Sequence, residues 1–421
     1  MARAFGRMMP MRTGPQRSSP AIRWPGAAGD QTVPPRRWLL AGAPDEGGER
    51  AGYDRMLAVV ALALVGFGVV MVYSASAIRA QERFGDPLLF LKRQALWALL
   101  GLAGMQWALR LDYRRLQRWT PAAVVVALGL LGAVLIPHVG VRVNGARRWI
   151  RLLGVSFQPA EFSKLALIFF LASYYARRAD KLGSLVDGFL PPLMVTALFA
   201  GLVILQPNFG TAVILLLLAG ILGFVGGARI GHIAVAVGCG IPLLGALMLS
   251  TPHVRTRLIA LLDPARASSR AVYQVTQSFY ALGPGGLLGR GLGDSMQKLF
   301  YLPEPHTDFI FAIVGEELGF LGAAAVVSVY GLFLWRGTRI ALRAPDAFGG
   351  YLAMGITGGI VGQAAINMGV VLGLLPTTGV PLPFLSFGGS SLFFTLTGVG
   401  VLLSISQETC GRPRGGIRTG G

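Results

Sequence analysis

Long apolar runs recur along this chain, separated by short polar or basic segments. They stand near 56–77, 94–109, 119–137, 162–176, 188–205, 209–227, 230–250, 309–335, 349–374 and 386–406. Several approach the ~20 residues that a membrane-spanning helix needs. The runs at 94–109, 162–176 and 209–227 are shorter, as tilted or cavity-lining helices can be. The pattern predicts an all-α polytopic membrane protein with about ten transmembrane helices. An even number of crossings leaves both termini on one side.

The flanks differ in kind from this body. Residues 1–53 are rich in Arg, Pro and Gly and contain no apolar signal region, which predicts a disordered basic extension. Residues 54–408 form the membrane domain, and 409–421 a short tail. Charge sets the orientation. One set of loops carries Arg110, Arg114, Arg115 and Arg118; then Arg177, Arg178 and Lys181; then Arg336, Arg339 and Arg343; the tail adds Arg412, Arg414 and Arg418. Short basic loops stay inside, so both termini are expected in the cytoplasm.

The loops on the other side are basic too. The segment 138–161 carries Arg142, Arg147, Arg148 and Arg151. The large extracytoplasmic loop 251–307, between the seventh and eighth predicted helices, carries Arg255, Arg257, Arg266, Arg270, Arg290 and Lys298. Positive charge outside opposes the insertion rule, though long loops are partly exempt. It is either tolerated there or forms a basic vestibule for phosphate or another anion.

Composition narrows the classes. Of 421 residues 53% are hydrophobic and only 14% charged, well below the roughly 25% of soluble domains. The apolar bulk speaks against nucleic acid as the reason for the net charge of +19, leaving positive-inside loops and the binding of an anionic ligand. Two distant cysteines, Cys239 and Cys410, and four scattered histidines give neither a disulfide framework nor a metal motif.

Four segments are too particular to be membrane filler. The first runs from Asn144-Gly145-Ala146-Arg147-Arg148-Trp149 to Gln158-Pro159-Ala160-Glu161-Phe162-Ser163-Lys164. Glu161 and Lys164 are three apart at a helix start, so they either pair with each other or face a cavity. Trp149 suits an interfacial anchor. The second, Gln206-Pro207-Asn208-Phe209-Gly210-Thr211, reads as a tight turn between two helices.

The third holds Gly283-Pro284-Gly285-Gly286 and Gly289-Arg290-Gly291-Leu292-Gly293, whose backbone N–H groups are expected to approach an anion. It continues through Gln297-Lys298-Leu299 and Tyr301-Leu302-Pro303-Glu304 to His306-Thr307-Asp308-Phe309. Asp308 stands where a loop enters an apolar helix, a position that suits either a helix cap or a catalytic carboxylate. Ala312, Gly315 and Gly319 give its face small walls, for close packing or for a ligand. The fourth, Leu375-Pro376-Thr377-Thr378-Gly379-Val380-Pro381-Leu382-Pro383-Phe384 with Ser386-Phe387-Gly388-Gly389-Ser390-Ser391, is an uncharged irregular loop between the last two helices. Such backbone survives at membrane depth only where protein or water satisfies it. Gln363 and Asn367, four apart in the preceding helix, add polar groups on one face.

Taken together and in this order, the four segments resemble the FtsW/RodA/SpoVE family, also called SEDS proteins, over residues 55–408. The third segment is most similar to the FtsW and SpoVE branches, while Pro376 to Phe384 leans towards RodA. The resemblance implies a peptidoglycan glycosyltransferase of the cytoplasmic (inner) membrane that polymerises lipid II outside. Its partners would be lipid II, undecaprenyl-pyrophosphate-linked glycan, a class B penicillin-binding transpeptidase and other division-machinery membrane proteins, with no nucleic acid. It implies Asp308 as the essential carboxylate, with Arg148 and Lys164 as required basic positions. Lys298, His306, Gln206 and Ser390, from the same segments, complete the substrate-binding candidates. The family's turn commonly has Asp where Asn208 stands, which leaves position 208 a turn or hydrogen-bonding role. A divalent cation, Mg or Mn, could assist the pyrophosphate, although no acidic cluster requires one. A lipid II flippase and a division scaffold are the competing functions.

Overall fold

A computed structural model describes residues 52–143, 146–152, 155–178, 181, 183–262 and 269–411. The basic extension up to residue 51, Asn144, Gly145, Arg266 and residues 412–421 lie outside the described residues.

Helices stand at all ten apolar runs: α1 (Arg55–Phe84), α2 (Leu89–Arg110), α3 (Arg114–Leu135), α4 (Pro159–Arg177), α5 (Leu190–Ile204), α6 (Phe209–Gly226), α7 (Ile230–Ser250), α10 (Ile310–Arg343), α11 (Ala347–Val371) and α12 (Gly389–Gly411). Eight helical segments among the described residues are long and apolar enough to cross a membrane, a π-helical turn at Leu185–Phe189 extending α5 into one of them. The other two helices are more polar. α2 includes Lys92, Arg93 and Arg110, and α4 includes Glu161, Lys164 and Arg177. Both nonetheless pack on the bundle, α2 by one face along α12 and α4 against α3 and α11.

The protein is built inside-out relative to a soluble one. Bulky apolar side chains such as Leu99, Val125, Met194, Val235 and Ile241 are exposed on helix faces, while Glu161, Glu316, Glu317, Gln363 and Asn367 are buried. Exposed apolar area on this scale is covered by lipid in a membrane protein. Helix starts are capped as the sequence dictates: Asp54 accepts from the Leu57 N–H and Asp346 from the Gly349 N–H. Asp54 also pairs with Arg336 at 2.6 Å, and its own N–H reaches Ser406, which ties α1, α10 and α12 together at one end.

The two basic segments at 138–161 and 251–307 are more structured than runs of loop. The first contains an antiparallel three-stranded sheet, β1 (Gly140–Val143), β2 (Ala146–Leu152) and β3 (Val155–Phe157). Val141 faces Trp149 and Arg142 faces Arg147, so Arg148 is the extra residue of a β-bulge. A bulge re-aims its side chain out of the alternating pattern. The second contains α8 (Pro252–Leu262) and α9 (Ser269–Gly285), followed by an irregular strap to Phe309.

The glycines of that strap correct the anion-nest expectation. α10 breaks at Gly319, whose φ of 67° and ψ of −164° are open to glycine and few others. The strap docks on the break: Arg290 and Gly291 donate their N–H groups to the carbonyls of Glu316 and Glu317. Phe320 and Leu321 donate back to Gly286 and Leu287. A Cβ at Gly289 would lie 2.1 Å from the Glu317 carbonyl oxygen. Gly285 and Gly289 therefore serve close backbone pairing inside the protein, and the N–H groups of Arg290 and Gly291 are already used. The small face of α10 is filled in the same way, with Leu282 against Gly315.

Candidate functional site

Three chain segments meet at Asp308: the end of the strap, the turn 206–211 and the loop 372–388. Asn367 of α11 joins two of them, donating from Nδ2 to the carbonyls of Asp308 and Val380, each at 2.8 Å. One turn earlier, Gln363 donates to the Pro381 carbonyl at 2.8 Å and accepts from Lys164 at 2.5 Å. The polar face of α11 thus pins the irregular loop, which meets the requirement for backbone at that depth. The turn closes on the same loop, because a Cβ at Gly210 would meet Val380 and Thr378.

Asp308 is half-buried, and its carboxylate accepts no helix amide: Phe309, not Asp308, is the cap position of α10. Among the described residues it has no side-chain hydrogen bond or ion pair. Two guanidinium groups act on it electrostatically. Arg148, turned by the bulge, donates Nε to the Gln206 carbonyl at 3.1 Å and Nη2 to the Pro207 carbonyl. Arg257 of α8 donates Nη1 to the Thr377 carbonyl at 3.1 Å. Gly379 lies between acid and base: a Cβ there would stand 3.6 Å from Asp308 Oδ2 and 4.0 Å from Arg257 Nη1.

Burial, and then the charge of Glu304, push the Asp308 carboxyl up to about 6, against the opposing pull of Arg257 and Arg148. Burial is also the main influence on the two bases. It brings Arg148 down to about 10, with repulsion from Arg257 adding to it, and it lowers Arg257. Both stay cationic at neutral pH. The result is a half-desolvated acid next to two cations whose remaining N–H groups can hold phosphate oxygens.

The other sequence-derived candidates are held in contacts of their own, and none of these contacts is to the Asp308 carboxylate. Lys164 pairs with Glu161 at 2.8 Å beside a small, partly open cavity that Gln363 and Phe394 also line. Lys298 is buried on Glu317 at 3.1 Å, where the Ser74 hydroxyl of α1 bonds both carboxylate oxygens. His306 packs between Phe90 and Phe387, and burial, followed by the charge of Arg79, lowers it to about 4, so its ring is neutral. Gln206 is buried and donates to the Leu131 carbonyl. Ser390 accepts from the Gln158 N–H that leads into α4. Arg257, Thr377 and Gly379 join Asp308 although sequence did not single them out. Arg257 was visible only as one basic residue among several.

The described residues hold no group of three His, Cys, Asp or Glu side chains, so a divalent cation here would rest on Asp308 and the phosphates of a bound substrate. The positive charge here is supplied by arginine.

Comparison with known proteins gives the family and the fold. The model of the FtsW/RodA/SpoVE family, described as cell cycle protein, matches residues 54–410. Stage V sporulation protein E of Bacillus subtilis is 44% identical over 354 residues, covering 84% of this chain and 97% of that one. A probable peptidoglycan glycosyltransferase FtsW of Trichlorobacter lovleyi is 44% identical over 356 residues, covering 85% and 93%. A chain of a peptidoglycan synthase complex solved for its coordination of polymerization and crosslinking superposes with a TM-score of 0.70 at 32% identity, covering 85% and 98%. The rod shape determining protein RodA of Thermus thermophilus gives 0.64 at 30%, covering 86% and 98%. With an inside-out helical bundle, a match running almost from end to end and two solved relatives of the same fold, the chain belongs to the FtsW/RodA/SpoVE family.

Proposed function

We propose that this protein is a peptidoglycan glycosyltransferase that polymerises lipid II on the outer face of the cytoplasmic membrane, with Asp308 as the base. The observation that carries the proposal is one half-desolvated carboxylate, unpaired among the described residues, beside two arginines. Glycan growth needs one sugar hydroxyl to attack the anomeric carbon of a sugar pyrophosphate. In this reading the Asp308 carboxylate takes the proton from the acceptor GlcNAc 4-hydroxyl as its oxygen bonds to the donor's anomeric carbon. The bond from that carbon to the pyrophosphate breaks, and the leaving polyprenyl pyrophosphate keeps the electron pair. Arg148 and Arg257 neutralise its charge. Attack opposite the leaving group turns the α-anomer into a β-linkage. One base and a cationic cradle suffice because the leaving group needs no proton.

Ten crossings with basic inner loops would put both termini in the cytoplasm and Asp308 outside. Septal synthesis is the proposed setting, in keeping with a family described as cell cycle protein and a relative named for sporulation. A class B penicillin-binding transpeptidase is the proposed partner, in keeping with the synthase complex among the solved relatives.

The test is polymer formation from lipid II by the purified protein with its transpeptidase, followed across pH. A carboxyl held at about 6 must be ionised to act as base, so activity should fall as pH drops through about 6. Transbilayer movement of lipid II with no polymer at any pH would replace this reading with that of a flippase.

A further inference from the structure

We infer that Asn208 and Thr377 form a neutral subsite for the saccharide beside Asp308, separate from the cationic pair that takes the anion. The inference rests on the glycosyltransferase reading of the site. Asn208 is 2% exposed, and its Oδ1 accepts from the Thr211 hydroxyl while Nδ2 has no partner. Thr377 is 8% exposed; its carbonyl holds Arg257, yet its own hydroxyl is unpartnered. Asn367 adds a free acceptor, because its Nδ2 is spent on the Asp308 and Val380 carbonyls and Oδ1 has none.

These three groups lie on the turn, the loop and the helix that converge on Asp308. A buried polar group without a partner is destabilising, so each of the three calls for something to complete it. Their chemistry points to what completes them. The set comprises an amide donor, a hydroxyl that both donates and accepts, and an amide oxygen that only accepts. Sugar hydroxyls and acetamido groups offer both roles. A phosphate oxygen only accepts, and would be repelled by Asn367 Oδ1. The arginines and the neutral groups therefore divide one ligand between them, pyrophosphate to the former and sugar to the latter.

The test measures binding of two probes to the purified full chain. One is the undecaprenyl-pyrophosphoryl disaccharide without its stem peptide, and the other is undecaprenyl pyrophosphate. Thr377→Val keeps the shape of the side chain and removes its hydroxyl; Asn208→Leu does the same for the amide. Each should weaken the disaccharide probe about tenfold, the effect of losing one good hydrogen bond, and leave undecaprenyl pyrophosphate unchanged. An equal loss on both probes would make these residues structural and overturn the inference. So would no loss on either, or a wild type that binds both probes equally. Selective loss in a protein that makes no polymer would keep the subsite and reject the glycosyltransferase reading.

Discussion

Lys298→Met is expected to destabilise the protein by about 3–5 kcal/mol, the cost of leaving a buried charge without its partner. The partner is Glu317, whose side chain is 0% exposed and lies 3.1 Å from Lys298 Nζ. Lys298 is held in turn by the Gly293 carbonyl, and the Ser74 hydroxyl bonds both Glu317 oxygens. Next to it, Glu316 accepts from Ser295 and from the Met296 and Gln297 amides. The cluster locks the strap to α1 and α10, and the strap ends in Asp308. Thermal unfolding in detergent should show a clear drop for Lys298→Met, with polymerisation weakened alongside. Adding Glu317→Gln removes the stranded charge, so the double variant should recover much of the loss. A single variant as stable as wild type would mean that the pair does not hold the strap.

Asp308→Asn is expected to lower polymerisation by roughly 10²–10⁴-fold, the usual worth of a positioned base. The fold should survive. Asp308 caps no helix, and its carbonyl rather than its carboxylate is held by Asn367. The direction of its shift adds a sign to the prediction. A carboxyl raised in the folded state makes folding less favourable once pH exceeds its ordinary value of 3.8, and this penalty is relieved as pH falls through about 6. An uncharged Asn escapes it. At neutral pH the variant should therefore melt no lower than wild type while losing its activity.

How far the sequence carried this account depends on the length scale of each signal. The helices were readable because a run such as 349–374 must be helical to satisfy its backbone in lipid, and α11 stands there. The sheet at Gly140–Phe157 was not, since three strands of 4, 7 and 3 residues carry no usable periodicity. Consequently the bulge that turns Arg148 was invisible, although Arg148 itself was a candidate. The strap glycines misled, because glycine marks close backbone approach without saying to what; here the approach is to α10. Arg257 is 51 positions from Asp308 in sequence, and only the packing of α8 joins them. One signal was overlooked: Glu316 and Glu317, two consecutive acids in an apolar helix, demand buried partners. They point directly to Ser295 and Lys298.

The central claim is that the Asp308 carboxylate drives glycan polymerisation. Its most direct test is a gel assay of polymer made from lipid II by purified wild-type protein and Asp308→Asn, each with its transpeptidase. The account predicts glycan strands from the wild type and almost none from a variant with matched expression and melting temperature. Full-length strands from Asp308→Asn at the wild-type rate would contradict it.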